Sequence, residues 1–351
     1  MANHSPKLGH TQFGLNGAIA VMVRPSTGSG AAVVVGLAAG AATLESTHGL
    51  QATRAVVKRQ PDTWLLTGIP RSGSSLACRL AGELPDLVAL SEPMARTESV
   101  TITAATACDR IEQFVARTRG LIERERRAPS LHVAGRLDDN VVANDAEGGL
   151  RRRQTEQGEI HIAKTLSGRF TLLIKHNALF AALLGQLSAS FACVALVRNP
   201  LAALASWQTV DLPVNRGRIP AGEQFDAELR NVLDRTGDGL ARQLLVLNWF
   251  FAQYGDSLPD ERILRYEDLV ASGGGVLFRL LGHVDATPQP LASRNAHPIY
   301  GEAGVEALLH ALTKAGGAWM RFYSRADCET AAERLLRPDR VAARPAPDPC
   351  P

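Results

Sequence analysis

The stretch Thr63-Trp-Leu-Leu-Thr-Gly-Ile-Pro-Arg-Ser-Gly-Ser-Ser-Leu76 decides how the chain is read. The apolar run Trp64, Leu65, Leu66 predicts a buried strand. Gly68, Pro70 and Gly73 predict a tight loop, and Ser74-Ser75 open a helical run that reaches Leu84. A strand, a glycine-bearing loop and a helix N-terminus together make an anion site. The first N–H groups of a helix lack intrahelical partners, and the helix dipole favours negative charge there. Ser72, Ser74 and Ser75 add hydroxyl donors, Gly73 lets the backbone approach an oxyanion, and Arg71 can fork onto phosphate or sulfate oxygens.

The phosphate-loop pattern is G-x-x-x-x-G-K-[ST]. Gly68 and Gly73 keep its spacing, but Ser74 stands at the lysine position and the fixed cation lies upstream at Arg71. The loop therefore predicts phosphate or sulfate binding in a manner unlike an ATPase. The plain alternative is a glycine-rich turn in a parallel sheet.

Working outward, residues 87–90 predict a second strand ending at Glu92, and residues 170–174 a third ending in Lys175-His176. Residues 191–197 predict a fourth strand, ending in Arg198-Asn199-Pro200, and residues 262–265 a short fifth, leading into Tyr266-Glu-Asp-Leu269. Helical patterns lie between them, at 106–127, 178–187, 201–207 and 240–254, and again at 276–281, 308–312 and 330–336. This alternation predicts an α/β fold, a three-layer P-loop-like sandwich with a central parallel sheet and helices on both faces. In open parallel sheets ligands bind at the C-terminal strand edge. Glu92, Lys175 and Arg198 are therefore expected beside the first loop. The Pro/Gly/Arg stretch 211–223 has the length and polarity of a lid or substrate loop. Arg151-Arg-Arg153 reads as surface and residues 135–140 as a turn.

Composition narrows the function. The 351 residues carry 38 Lys and Arg against 35 Asp and Glu, a net charge of +3, with 5% aromatic residues. That balance excludes a general polyanion binder, and few rings are available to stack bases, so no nucleic-acid partner is expected. Five scattered cysteines without C-x-x-C spacing predict neither a disulfide framework nor a zinc site, and reduced thiols suit a cytoplasmic protein. No run reaches the ~18 apolar residues of a membrane span. Residues 1–60, rich in Gly, Ala, Ser and Thr, are expected to form a poorly ordered extension, although the apolar run 31–42 after Arg24 loosely resembles a signal peptide. The domain is expected over 61–337, with a disordered tail at 338–351.

In sum these residues resemble the sulfotransferases that use 3′-phosphoadenosine 5′-phosphosulfate, in the style of bacterial and tyrosylprotein-type members. Pro70-Arg71-Ser72-Gly73-Ser74-Ser75 is similar to the loop that holds the 5′-phosphosulfate in that family. Arg198, Pro200 and Ser206 match the R-x-P and serine spacing of its 3′-phosphate site, and Tyr266-Glu-Asp-Leu269 its tyrosine segment. Gly317-Ala-Trp319-Met-Arg321 is a looser match to a segment that closes over the nucleotide. The motifs run in the family's order from about residue 62 to 323.

The resemblance implies transfer of a sulfuryl group to an acceptor hydroxyl, a carbohydrate or other small molecule being favoured, with no metal. Arg71 would stabilise the leaving phosphate and Lys175 would supply a second cation. Glu92 would take the acceptor proton, with His176 as rival base. Two other readings stay open, a P-loop nucleotide kinase or NTPase and a non-catalytic nucleotide-binding module.

Overall fold

Leu65 and Leu66, neighbours on the first strand, enter two different cores. The computed structural model describes residues 60–99, 101–143, 149–295 and 304–336. Its strands are β1 (Gln60–Gly68), β2 (Leu87–Ser91), β3 (Arg127–His132), β4 (Glu156–His161), β5 (Thr171–Lys175), β6 (Phe191–Val197) and β7 (Ile263–Arg265). Five of them form a parallel sheet in the order β2-β5-β1-β6-β7. Side chains alternate across a strand. Leu65, Leu172, Ile174, Cys193 and Ala195 thus pack on one face, and Leu66, Leu173, Val194 and Leu196 on the other.

The helices are α1 (Ser74–Glu83), α2 (Arg96–Ser99), α3 (Ala107–Glu125), α4 (Asn177–Ala182), α5 (Leu184–Ser190), α6 (Pro200–Trp207) and α7 (Pro220–Phe225). They continue with α8 (Ala227–Arg235), α9 (Gly239–Ser257), α10 (Tyr266–Ala271), α11 (Gly275–Leu280), α12 (Val305–Ala315) and α13 (Arg325–Leu336). Helices α1, α10 and α11 cover the face of Leu66. Helices α3 to α6, α9, α12 and α13 cover the face of Leu65. The fold is the α/β sandwich expected, a central parallel sheet with helices on both faces.

Local chemistry sets the ends of several elements. Asn199 caps α6 by accepting from the N–H groups of Leu201 and Ala202, and Pro200 occupies the first turn. The carbonyls at the end of α1 and the start of β2 converge on one cation: Lys164 Nζ donates to Gly82, Leu84 and Leu87.

Two regions depart from the sequence expectation. Strands β3 and β4 pair antiparallel, apart from the main sheet. Their sequences, Arg-Ala-Pro-Ser-Leu-His and Glu-Gln-Gly-Glu-Ile-His, lack an apolar run. The stretch 211–223 is folded, with a 3-10 turn at Pro213–Arg216 followed by the start of α7. It is pinned to α9, because Gln243 Nε2 donates to the carbonyls of Val214 and Asn215 and Arg242 Nε to that of Arg216. The stretch expected as a lid or substrate loop is thus a folded segment packed on α9.

Among the described residues no helix is long and apolar enough to cross a membrane, and no group of three or more His, Cys, Asp or Glu is placed to hold a metal. Cys78, Cys193 and Cys328 are buried free thiols. The expected N-terminal extension and C-terminal tail lie outside the described residues.

Candidate active site

The loop between β1 and α1 is held from both sides. Ile69 N donates to the Leu196 carbonyl of β6 at 3.1 Å, and Trp207 Nε1 of α6 donates to the Pro70 carbonyl at 2.8 Å. Ser72 N closes a turn on the Ile69 carbonyl at 2.9 Å. Arg71 and Gly73 have φ of 71° and 87°. Arg71 thus holds a left-handed conformation that costs a non-glycine residue energy. At position 73 only glycine fits on two counts, since a Cβ would also lie 2.6 Å from the Tyr266 ring. The first turn of α1 has no side-chain cap, and Ser74, Ser75 and Leu76 line a cavity of about 650 Å³. These are the donors an anion would meet.

The same cavity receives the ends of the neighbouring strands. β5 and β6 flank β1, so Lys175 closes one side and Arg198 the other. Lys175 is buried and its Nζ lies 2.8 Å from Glu92 Oε1. Glu92 follows β2 with φ of 43°, fixed by its N–H on the Lys175 carbonyl at 2.7 Å. Burial raises the pKa of the Glu92 carboxyl, but Lys175, His176 and Arg153 outweigh it and hold the group at about 2.

His176 is buried against Phe180, and burial pushes its pKa down to about 4. Its Nε2 already accepts from the Met94 N–H at 3.2 Å. That bond fixes a neutral ring with its acceptor nitrogen occupied, which makes His176 a poor base for a substrate proton.

On the far side Arg198 is buried and packs over the Tyr266 ring at 4.9 Å. Its guanidinium donates to Asn295 Oδ1 (2.8 Å), the Arg71 carbonyl (2.8 Å) and the Arg294 carbonyl (2.7 Å). Tyr266 Oη accepts from the Arg294 N–H at 2.9 Å. Behind Arg198 stands Glu267. One oxygen accepts from Asn199 N (3.0 Å) and Asn295 Nδ2 (2.6 Å), and the other from Tyr323 Oη (2.7 Å).

The structure thus brings Arg71, Gly73, Ser74, Ser75, Glu92, Lys175, Arg198 and Tyr266 to one cavity. Four of the candidate residues stand outside its wall. Ser206 is fully buried beneath the loop, 3.3 Å from Arg71 Nε, and orients that side chain. Ser72 is buried, and its hydroxyl makes no hydrogen bond. Trp319 lies in the core with Nε1 on the Gly316 carbonyl. Arg321 pairs with Asp260 and donates to the Gly255 carbonyl. The segment 317–321 packs on α9, where Gly317 meets Asn248 and Arg321 meets Gly255, and it does not close over the cavity.

Other wall residues were not read from the sequence. Asn140 Oδ1 accepts from Arg71 Nη1 at 2.8 Å, and Asn140 is held by its own N–H on Asp138 Oδ1 at 2.7 Å and by Gln154 Nε2 on its carbonyl at 2.8 Å. Arg153, taken as plain surface, lines the cavity, as do Arg79, Arg218 and Arg294. Among the described lining residues, seven Arg or Lys side chains face two carboxylates, Glu92 and Asp139. A chain of net charge +3 therefore concentrates positive charge in one crevice, which focuses its field on anions.

No family model and no curated protein matches the sequence. Among solved structures, a sulfotransferase from Alicyclobacillus acidocaldarius is similar at 12% identity, over 81% of this chain and 98% of that one, with a TM-score of 0.36. The sulfotransferase domain of the Synechococcus PCC 7002 olefin synthase is similar at 14% identity, over 83% and 97%, with a TM-score of 0.32. A sulfotransferase from Mycobacterium tuberculosis H37Rv is similar at 13% identity, over 80% and 77%, with a TM-score of 0.29. Scores this low carry no weight for function, which rests on the residues of the cavity.

Proposed function

We propose that the chain transfers a sulfuryl group from 3′-phosphoadenosine 5′-phosphosulfate to the hydroxyl of an acceptor. The observation that carries this reading is the convergence of Arg71, Lys175 and Arg198 on one cavity, beside the uncapped first turn of α1. The donor has two separated anionic centres. The loop and α1 offer one anion position and the Arg198–Tyr266 side a second, and a triphosphate, whose charge lies in one run, uses such a division poorly.

Sulfuryl transfer asks mainly for alignment and for charge stabilisation at the equatorial and bridging oxygens. Arg71 and the N–H groups of α1 stabilise the leaving phosphate. Arginine keeps its proton, so Arg71 acts through charge and hydrogen bonds. Lys175 supplies the cation at the bridging oxygen.

Glu92 takes the acceptor proton. Alone with Lys175 it is ionised but weakly basic. Sulfuryl oxygens arriving at Lys175 compete for the ammonium, which loosens its hold on Glu92 and raises the basicity of the carboxylate when the donor is in place.

The test measures binding of labelled donor and labelled ATP to the purified chain, and transfer of radiosulfur to a panel of alcohols. Saturable donor binding, displaced by adenosine 3′,5′-bisphosphate and poorly by ATP, together with labelled product, supports the reading. Tight ATP binding with phosphoryl transfer would replace it with a nucleotide kinase. Donor binding without transfer to any acceptor would leave a nucleotide-binding module.

A further inference from the structure

The cavity is chemically divided. Its phenolic ring, Tyr266, belongs to the Arg198 side, where it packs under the guanidinium. Beside the charged groups at Glu92, the wall carries aliphatic side chains. Met94 follows Glu92 in the chain, and its N–H is held by His176. Leu179 continues from His176 along α4, and α7 packs on α4, bringing in Ile219 and Pro220. Among the described residues that line the cavity, Tyr266 is the only Phe, Tyr or Trp. A pocket built to hold a phenol ordinarily presents rings to stack on it. This one presents methyl and methylene groups beside the proton acceptor.

One cation on this side has no evident structural duty. Arg153, next to β4, is exposed, lines the cavity and acts on the Glu92 carboxylate through space. It makes no hydrogen bond or ion pair among the described residues, whereas Arg218 pairs with Glu223 and Asp234 and Arg79 with Glu83. Gln157, which shares the wall, is spent on the Pro93 carbonyl at 3.2 Å. An arginine left facing a cavity can fork onto a carboxylate or phosphate.

We infer that the acceptor is an aliphatic alcohol that also bears an acidic group, its chain lying on Met94, Leu179 and Ile219 and its anion read by Arg153. This rests on the sulfuryl-transfer reading above. The acceptor hydroxyl is placed at Glu92 and the acid at the mouth. The hydroxyl oxygen forms the new bond to sulfur, the bond from sulfur to the phosphate oxygen breaks, and the hydroxyl proton passes to Glu92. The nucleotide bisphosphate leaves with the electron pair of the broken bond. Arg153 touches none of the reacting atoms; its charge on Glu92 bears equally on acidic and neutral acceptors, so only its contact with the acid separates them.

The experiment uses the full chain, radiosulfur-labelled donor and three acceptors: hydroxyhexanoate, hexanol and nitrophenol. Donor binding is measured separately by calorimetry. The expected result is a kcat/KM for hydroxyhexanoate about fivefold above that for hexanol, with nitrophenol poorer still, as a solvent-exposed charge contact gives. Arg153→Gln should bring the acid-to-neutral ratio to near unity through KM, and added salt should lower the ratio in the parent chain. Equal rates for hydroxyhexanoate and hexanol, an unchanged ratio in Arg153→Gln, or nitrophenol as the best acceptor would each overturn the inference and leave sulfuryl transfer standing. Absence of donor binding would instead remove the transfer reading itself.

Discussion

The guanidinium of Arg198 donates to the main-chain carbonyl of Arg71 at 2.8 Å. The cation at the end of β6 therefore shapes the loop after β1, and the two arginines work as one unit. Arg198 also holds Asn295 and the Arg294 carbonyl. A lysine at this place keeps the charge but cannot serve three acceptors in a fork. Arg198→Lys should weaken donor binding by about tenfold or more, a loss of the size seen when one or two charge-assisted hydrogen bonds go. Calorimetric titration with adenosine 3′,5′-bisphosphate reads it. Unchanged affinity would mean that Arg198 is only a strut.

Glu92→Gln separates binding from chemistry. The amide keeps the shape of the side chain and can still accept from Lys175, but it cannot take a proton. Turnover should fall by about a hundredfold or more, the usual worth of a placed general base. Donor affinity should stay within about threefold, since the substitution leaves every donor hydrogen bond of the loop in place. Full turnover in this variant would rule Glu92 out as the base.

Gly73→Ala tests the loop. The substitution meets φ of 87° and the Tyr266 ring together. Stability should fall by about 1–3 kcal/mol, read as a shift in urea midpoint, and donor binding should drop with it. In a Tyr266→Ala background the clash is gone but the backbone strain is not, so Gly73→Ala should cost less there than in the parent without becoming neutral. A neutral Gly73→Ala in that background would show that the ring contact was the whole cost.

Acid should loosen the Glu92–Lys175–His176 side of the site. His176 has a folded pKa of about 4 against an ordinary 6.5, so the unfolded chain binds the extra proton between those values. Stability should therefore fall as pH drops from about 6.5 to 4. Glu92, at about 2 against 4.5, adds stability above pH 4.5 that is lost as pH falls towards 2. His176→Gln keeps an acceptor for the Met94 N–H and removes the first titration. Its urea midpoint should vary less between pH 6.5 and 4 than that of the parent, and an equal slope would place the sensitivity elsewhere.

Lys164→Met leaves the carbonyls of Gly82, Leu84 and Leu87 without their shared donor. The expected cost is about 1–3 kcal/mol of stability, measured by chemical denaturation, with donor affinity unchanged. A loss of affinity at equal stability would mean that the end of α1 communicates with its start.

Much of this was legible because the relevant signals are local. The apolar runs of β1, β2, β5 and β6 mark strands buried on both faces, and the residue that follows or ends each run falls at the ligand edge by topology alone. Hence Glu92, Lys175 and Arg198 could be placed without coordinates. Asn140 could not, since its bond to Arg71 joins positions 69 residues apart and nothing in Asp-Asp-Asn announces it. Arg153 looked like any solvated arginine because it lies before β4, in an isolated bridge with Val142 that no local pattern announces. Ser206 kept its expected spacing, but α6 turns its hydroxyl towards Arg71 beneath the loop. Trp319 and Arg321 matched a loosely spaced motif, and packing on α9 took them elsewhere.

The carboxylate of Glu267 ties Asn199, Asn295 and Tyr323 together behind Arg198. The loop after β1 is thus finished by chain made some two hundred residues after it, as the numbers 71 and 267 show. A nascent chain still lacking that last quarter carries the loop, Trp207 and Ser206, and yet lacks the carboxylate that braces Asn199 and Asn295 behind Arg198. On the proposed reading, capture of the nucleotide should accordingly become complete only late in synthesis, when the C-terminal helices have docked.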